Sequence, residues 1–215
     1  MIGVIIPVHN EQASLDRCLQ SVMRAAEHGT LCTELVRIVV VLDNCTDRSR
    51  DIAQRYPVRL IDIGMGNRVA ARAAGAAHLV QAGARWLAWT EADVRVPDDW
   101  LAAQLAYRVD AVCGRVDVEP GALKAVAGQR RRRSVALETP RPSVHGANLG
   151  VSCAAYTEAG GLKAGQDEVQ LVRQIESSGR RIAWSGSVRV RRGAPVGSGY
   201  GEPVRLPALS KVSGF

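Results

Sequence analysis

A chain of 215 residues with 47% hydrophobic and 23% charged side chains holds enough apolar material for one ordinary domain, which excludes a disordered or fibrous protein. Its 28 basic residues against 21 acidic ones give a net charge of +7, and all the basic ones except Lys124, Lys163 and Lys211 are arginines, whose planar fork suits phosphate and carboxylate partners. Four Trp, four Tyr and one Phe are few for a protein that grips single-stranded nucleic acid by stacking bases, so nucleic acid is not the expected partner.

Short β-branched runs alternate with helical patterns through the first half, the signature of a parallel sheet with helices on its faces. Val4 to Val8 reads as the first strand. Leu15, Cys18, Leu19, Val22, Met23 and Ala26 recur at helical spacing and predict a helix from about Ser14 to Glu27. Val36 to Leu42 is a buried strand, and Asp43 or Asn44 is placed to cap the helix carrying Ile52 and Ala53. Val58 to Ile63 gives a third strand, Val69 to Val80 a helix, and Trp86 to Trp89 a fourth strand. Pro97 then opens a helix near Trp100.

The second half is less regular. Ala111 to Val118 reads as a strand and Glu119 to Val144 as a linker, after which come Asn148 to Ser152. Helices follow near Tyr156 and from about Asp167 to Ser178, with strands around Ile182 and Val188. Residues 1–192 are expected to form one domain, and 193–215, where Gly and Pro recur, an irregular tail. Within the linker, the four successive arginines Arg130–Arg133 suit either a solvated loop or a peripheral contact with an anionic membrane.

The five cysteines, Cys18, Cys32, Cys45, Cys113 and Cys153, are never in CxxC spacing, which speaks against a disulfide framework or zinc site and fits a reducing compartment. No segment approaches the ~20 apolar residues that span a bilayer, and the first residues lead directly into a strand, so the expected location is cytoplasmic.

Carboxylates recur where strands end: Glu11 after the first, Asp43 after the second, Glu91 and Asp93 after the fourth. In a parallel sheet these ends line one crevice, so the acids are expected to converge. A bound divalent cation would answer their repulsion, and hard oxygen ligands suit Mn²⁺ or Mg²⁺.

These residues resemble a known family. Ile6-Pro7-Val8-His9-Asn10-Glu11 is similar to the "IPxxNE" opening of family 2 glycosyltransferases, which have the GT-A fold, an α/β architecture with a mostly parallel central sheet and helices on both faces. Asp43 to Ser49 resembles the family's "DGSTDxS" turn, Ala71 to Gly75 its "ARNxG" helix, Glu91-Ala92-Asp93 its metal-binding "DxD", and Gly165-Gln166-Asp167 its "GED". His145 to Gly150 and Gly160 to Leu162 match the stretch before that acid. The sequence departs from the pattern at Leu42, where many members have Asp, at Glu91 and at Gln166.

The resemblance implies an inverting, metal-assisted transfer of sugar from a UDP-, GDP- or TDP-sugar to an acceptor hydroxyl. It implies Asp167 as the catalytic base and Pro7, Glu11, Asp43, Arg72, Glu91, Ala92 and Asp93 as nucleotide-sugar contacts. Asp93 and Glu91 would hold Mn²⁺ or Mg²⁺, and His145, Asn148 and Glu168 would face the acceptor. Arg191 and Arg192 are candidates for the diphosphate. Other classes considered are an inactive, basic binding module, a nucleotidyltransferase, and a methyltransferase-like reading of the glycine-rich Gly64-Met65-Gly66-Asn67 turn.

Overall fold

The computed structural model describes residues 1–31, 33–119, 143–163 and 165–193. In chain order its first half holds β1 (Ile2–Val8), α1 (Leu15–Ala26), β2 (Val36–Asp43), α2 (Ser49–Ala53), β3 (Arg59–Ile63), α3 (Arg68–Gln81), β4 (Trp86–Trp89) and β5 (Val94–Arg95). Its second half holds α4 (Trp100–Ala106), β6 (Ala111–Val118), β7 (Leu149–Ser152), α5 (Cys153–Glu158), α6 (Glu168–Ser177) and β8 (Ile182–Arg192). Arg130–Arg133, Cys32 and the tail from 194 onward lie outside the described residues.

Every position of β1 is buried, so this strand needs cover on both faces, and the pleat divides its side chains between them. Ile2, Val4, Ile6 and Val8 pack with Leu15, Leu19 and Val22 of α1 and Trp100 of α4. On the opposite face Ile5, Val39 and Val41 pack with Ala71, Ala76 and Leu79 of α3 and with Leu171 and Ile175 of α6. The apolar periods seen in the sequence are therefore the two contact surfaces of one sheet.

The eight strands run in the order β3-β2-β1-β4-β7-β6-β8-β5. The half β3-β2-β1-β4 is parallel throughout, whereas β7 runs antiparallel to both of its neighbours and β5 antiparallel to β8. The chain steps outward from β1 through β2 to β3, then returns to place β4 on the other side of β1. That reversal puts a crevice between the carboxyl ends of β1 and β4. Pro7 fits there because β4 stops pairing at Ile5, and the absent N–H of Pro7 breaks no ladder bond on that side.

Three local expectations are revised. Neither Asp43 nor Asn44 caps α2; the Ser49 N–H at its start donates to Asp47 Oδ1 at 3.0 Å. The two strands expected around Ile182 and Val188 are one long strand, β8, with a register shift against β6 between Cys113 and Arg115. The two-residue β5 pairs with the end of β8 and went unseen because a two-residue strand has no readable period.

Asn148, expected near the acceptor, is instead fully buried. Its Oδ1 accepts from Trp100 Nε1 at 2.9 Å, and its Nδ2 donates to the carbonyls of Arg115 and Val188, both at 2.9 Å. It ties α4 to β6 and β8. Among the described residues no helix is long and apolar enough to cross a membrane.

The sheet and α3 approach closely at Gly75, where an added Cβ would lie 2.6 Å from Ile5 Cγ2 and 3.2 Å from Val41 Cγ2. Both neighbours are buried and stiff at χ1, so they have little freedom to yield. Alanine in place of a helical glycine gains about 1 kcal/mol of propensity, against about 2–3 kcal/mol for overpacking. Gly75→Ala is therefore expected to lower stability by about 1–2 kcal/mol, read as a lower urea midpoint with an unchanged slope. A raised midpoint would show that the sheet can shift there.

Candidate active site

The loops after β1 and β2 build one wall of the crevice, and they are fastened to each other. Asn10, with φ 55°, turns its Oδ1 to accept from Thr46 N at 2.8 Å and Asp47 N at 3.2 Å. Asp47 Oδ2 in return accepts from Gln12 N at 2.8 Å, and Ser49 Oγ accepts from Glu11 N at 2.9 Å. The two sequence motifs that carry the resemblance are thus two halves of one hydrogen-bonded structure.

Asp43, expected to touch the nucleotide, is fully buried and serves the scaffold. Its Oδ1 accepts from Met65 N and Gly66 N, both at 2.8 Å, and its Oδ2 from Asn67 N at 2.7 Å. The glycine-rich turn that mimics a phosphate loop is a backbone nest for this internal carboxylate. Asn67 goes on to cap α3, its Oδ1 accepting from Val69 N at 2.9 Å and Ala70 N at 3.0 Å.

Glu11 lies at the crevice with only 8% of its surface exposed, and its Oε2 accepts from Ser14 Oγ at 2.8 Å. Burial pushes its carboxyl up to about 7, with the nearby Asp93 and Glu91 charges adding to the shift and Ser14 and Arg68 opposing it. Glu11 is therefore only partly ionised at neutral pH. It can donate as well as accept a hydrogen bond there.

The centre of the site is a cluster of alternating charge. Arg72, on α3 and 3% exposed, donates Nη2 to Glu91 Oε1 at 2.5 Å and Nη1 to Glu168 Oε1. Arg192, at the end of β8, donates Nη2 to Glu91 Oε2, and its Nε lies 3.2 Å from Asp93 Oδ2. Arg68, the first residue of α3, reaches Glu91 Oε1 at 3.5 Å. Burial alone would raise the Glu91 carboxyl, but Arg72, Arg192 and Arg68 together hold it below its ordinary range. For Asp93, burial outweighs the neighbouring arginines and the shift is upward.

Sequence reasoning missed Arg68 and Gly146. A cation in the first turn of a helix opposes the helix dipole, and that mismatch was the available signal that Arg68 has an acidic partner. Gly146 carried no such signal. An added Cβ there would lie 2.5 Å from Arg72 Cζ, so only glycine leaves room for the buried guanidinium.

At the far side of the cluster, Asp167 caps α6, its Oδ1 accepting from Gln170 N at 2.9 Å and Gln170 Oε1 accepting from Asp167 N at 3.1 Å. Among the described residues Asp167 forms no ion pair, whereas its neighbour Glu168 is locked to Arg72. His145 is half-buried, with Nε2 2.9 Å from Ser143 Oγ. Burial lowers its pKa, the charge of Arg192 lowers it further, and Glu91 opposes them, which places the ring at the edge of the same cluster. Ala92 is buried in the core beneath it.

The repulsion that a divalent ion was expected to relieve is relieved by guanidinium groups. Both Glu91 oxygens are bonded to arginines, and Asp93 keeps one oxygen, Oδ1, buried without a hydrogen-bond partner. Among the described residues no three His, Cys, Asp or Glu side chains group as metal ligands. As arranged, the residues do not fit Mn²⁺ or Mg²⁺.

A mixed sheet with an acid-lined crevice at the β1/β4 reversal is the architecture of the GT-A class of transferases. Residues 3–155 match the family model described as glycosyl transferase family 2, and the chain belongs to that family. Among solved structures, TarS 1–349 of S. aureus in complex with UDP-GlcNAc is similar, with 14% identity and a TM-score of 0.69 over 95% of this chain and 61% of that one. The mannosyltransferase PcManGT from Pyrobaculum calidifontis, in complex with GDP-Man and Mn²⁺, gives 19% identity and a TM-score of 0.62 over 90% of this chain and 57% of that one. Glucosyl-3-phosphoglycerate synthase of M. tuberculosis gives 16% identity and a TM-score of 0.56 over 95% and 74%. The chain thus spans about three-fifths of the length of the first two.

Two variants test this description. Gly146→Ala is expected to push Arg72 off its carboxylates and lower stability by about 2–3 kcal/mol or more in urea unfolding, since overpacking and a weakened buried pair act together. A change below about 0.5 kcal/mol would mean that the guanidinium shifts freely. For Glu11 the folded-state pKa is raised, so the folded protein holds a proton that the unfolded chain releases above the ordinary value of 4.5. Stability from this group accordingly falls as pH rises from 4.5 through about 7. Glu11→Gln should stabilise by about 2 kcal/mol at pH 8, after allowance for solvent screening, and by almost nothing at pH 4.5. Equal effects at both pH values would contradict the shift.

Proposed function

We propose that this protein transfers a sugar from a UDP-, GDP- or TDP-sugar to an acceptor hydroxyl, in line and with inversion, using Asp167 as the base. The observation that carries this reading is the Glu168–Arg72–Glu91 bridge, which brings the start of α6 to the crevice at the ends of β1 and β4. Asp167, the residue before Glu168, forms no ion pair among the described residues, which supports it as the base. TarS holds UDP-GlcNAc and PcManGT holds GDP-Man on similar folds, which supports a nucleotide-sugar donor here.

In the proposed reaction the acceptor oxygen attacks the anomeric carbon while Asp167 takes its proton. The bond from that carbon to the diphosphate breaks, and the nucleoside diphosphate leaves with the electron pair. An acceptor hydroxyl is a weak nucleophile until its proton is removed, and Glu168 is engaged by Arg72, whereas among the described residues Asp167 forms no ion pair. Glu11 suits a ribose or base contact, because its partly protonated carboxyl can both donate and accept. No step is assigned to a metal ion.

A donor screen over UDP-, GDP- and TDP-sugars, scored by nucleotide release with and without Mn²⁺ or Mg²⁺, is expected to yield turnover with one nucleotide class. Release from none of them would remove the assignment. Asp167→Asn should keep the fold, because Asn caps helices as well as Asp does, and should keep nucleotide affinity while kcat falls by ~10²-fold or more. Turnover near that of the unmodified enzyme would take Asp167 out of the base role.

A further inference from the structure

We propose that Arg192 stands in the place of a divalent ion: its guanidinium, with that of Arg68, receives the donor diphosphate, and nucleotide binding needs no metal. This rests on the nucleotide-sugar reading above and fixes how that donor is held.

Arg192 is built into the site by its backbone. The end of β8 is paired with β5, with Val94 opposite Arg192 and Arg95 opposite Arg191, and Gly193 N donates to the carbonyl of Asp93 at 2.9 Å. The strand carrying Arg192 is thereby anchored to the same short segment as the acids. From there one guanidinium spans Glu91 and Asp93 and makes contact with both.

Guanidinium groups already match the carboxylates of the cluster. Arg68, Arg72 and Arg192 oppose Glu91, Asp93 and Glu168, and the buried Glu11 contributes only part of a charge at neutral pH. Within the cluster each of these carboxylates is thus offset by a guanidinium, which lowers the repulsion that an entering diphosphate meets. Arg192 and Arg68 are 30% and 28% exposed, against 3% for Arg72, so they are the members of the cluster that an entering ligand can reach. A guanidinium has five N–H donors in a planar fork, enough to hold a carboxylate on one edge and a phosphate on the other.

The test is calorimetric titration of the full chain with UDP, GDP and TDP, in EDTA and in saturating Mn²⁺, for the unmodified protein and for Arg192→Ala. The unmodified protein is expected to bind one nucleotide in EDTA within about threefold of its affinity in Mn²⁺. Arg192→Ala should bind at least ~10-fold more weakly in EDTA and recover on addition of Mn²⁺, because the vacated carboxylates then accept the ion. If the unmodified protein gains ~10-fold or more from Mn²⁺, the ion displaces Arg192 and the proposal falls, while the donor assignment stands. Absence of binding by every nucleotide under both conditions overturns the donor assignment and this inference with it. Should Arg192→Ala fail to fold, the comparison of EDTA with Mn²⁺ in the unmodified protein decides the matter alone.

Discussion

The buried guanidinium of Arg72 joins the two halves of this molecule. One nitrogen holds Glu91 at the end of the parallel half of the sheet, and another holds Glu168 at the start of α6, almost a hundred residues further along the chain. A charge with 3% exposure is unfavourable by itself, and removing either partner would leave an uncompensated charge in low dielectric. Arg72, Glu91 and Glu168 are consequently fixed as a set, and Gly146 is fixed with them, because a larger residue would occupy the space of the guanidinium. The geometry of the crevice follows from that set.

Around this centre the same residue type takes opposite roles according to its surroundings. Asp43 is saturated by three backbone N–H groups and organises the turn before α3. Glu11, equally close to the crevice but offered one hydroxyl, sits in a setting where burial dominates and the proton is held more tightly. Glu91 is buried as well, yet three arginines reverse the effect of burial and keep it ionised. Of the two acids at the crevice, Glu11 is thus a titrating carboxyl and Glu91 a fixed negative charge, while Asp43 holds the turn. The difference lies in what surrounds each one, since the side chains themselves are nearly identical.

This distribution bears on the way the proposed donor would be held. The parallel half with its switch point supplies the crevice for the proposed donor, and β6, β7 and β8 deliver a second group of residues, Asn148, His145 and Arg192, to its edge. Of these, Asn148 is sealed into the core by Trp100 and two carbonyls, so it holds the edge in place without contacting ligand. The arginine excess that first suggests a phosphate-rich partner is partly internal to the site, where it neutralises carboxylates. Its largest local concentration, Arg130–Arg133, lies outside the described residues.

The sequence by itself determined the strands and helices of the first half, because hydrophobic period and burial on two faces leave a direct imprint on residue order: Val4 to Val8, Val36 to Leu42 and Trp86 to Trp89 all became sheet. It also marked Glu11, Asp43, Glu91 and Asp93, since acids at the strand ends of a parallel sheet share an edge, whereas Asp167 was named by the family resemblance alone. What each acid touches was decided only in the tertiary structure. Arg192 reaches Glu91 and Asp93 through the pairing of β5 with β8, and Asp43 meets the 65–67 turn across the β2/β3 edge, contacts between segments far apart in the chain. No local pattern encodes such meetings. Residue order announces a carboxylate, whereas its partners, and with them its charge, arise from which distant donors the fold brings within hydrogen-bond range.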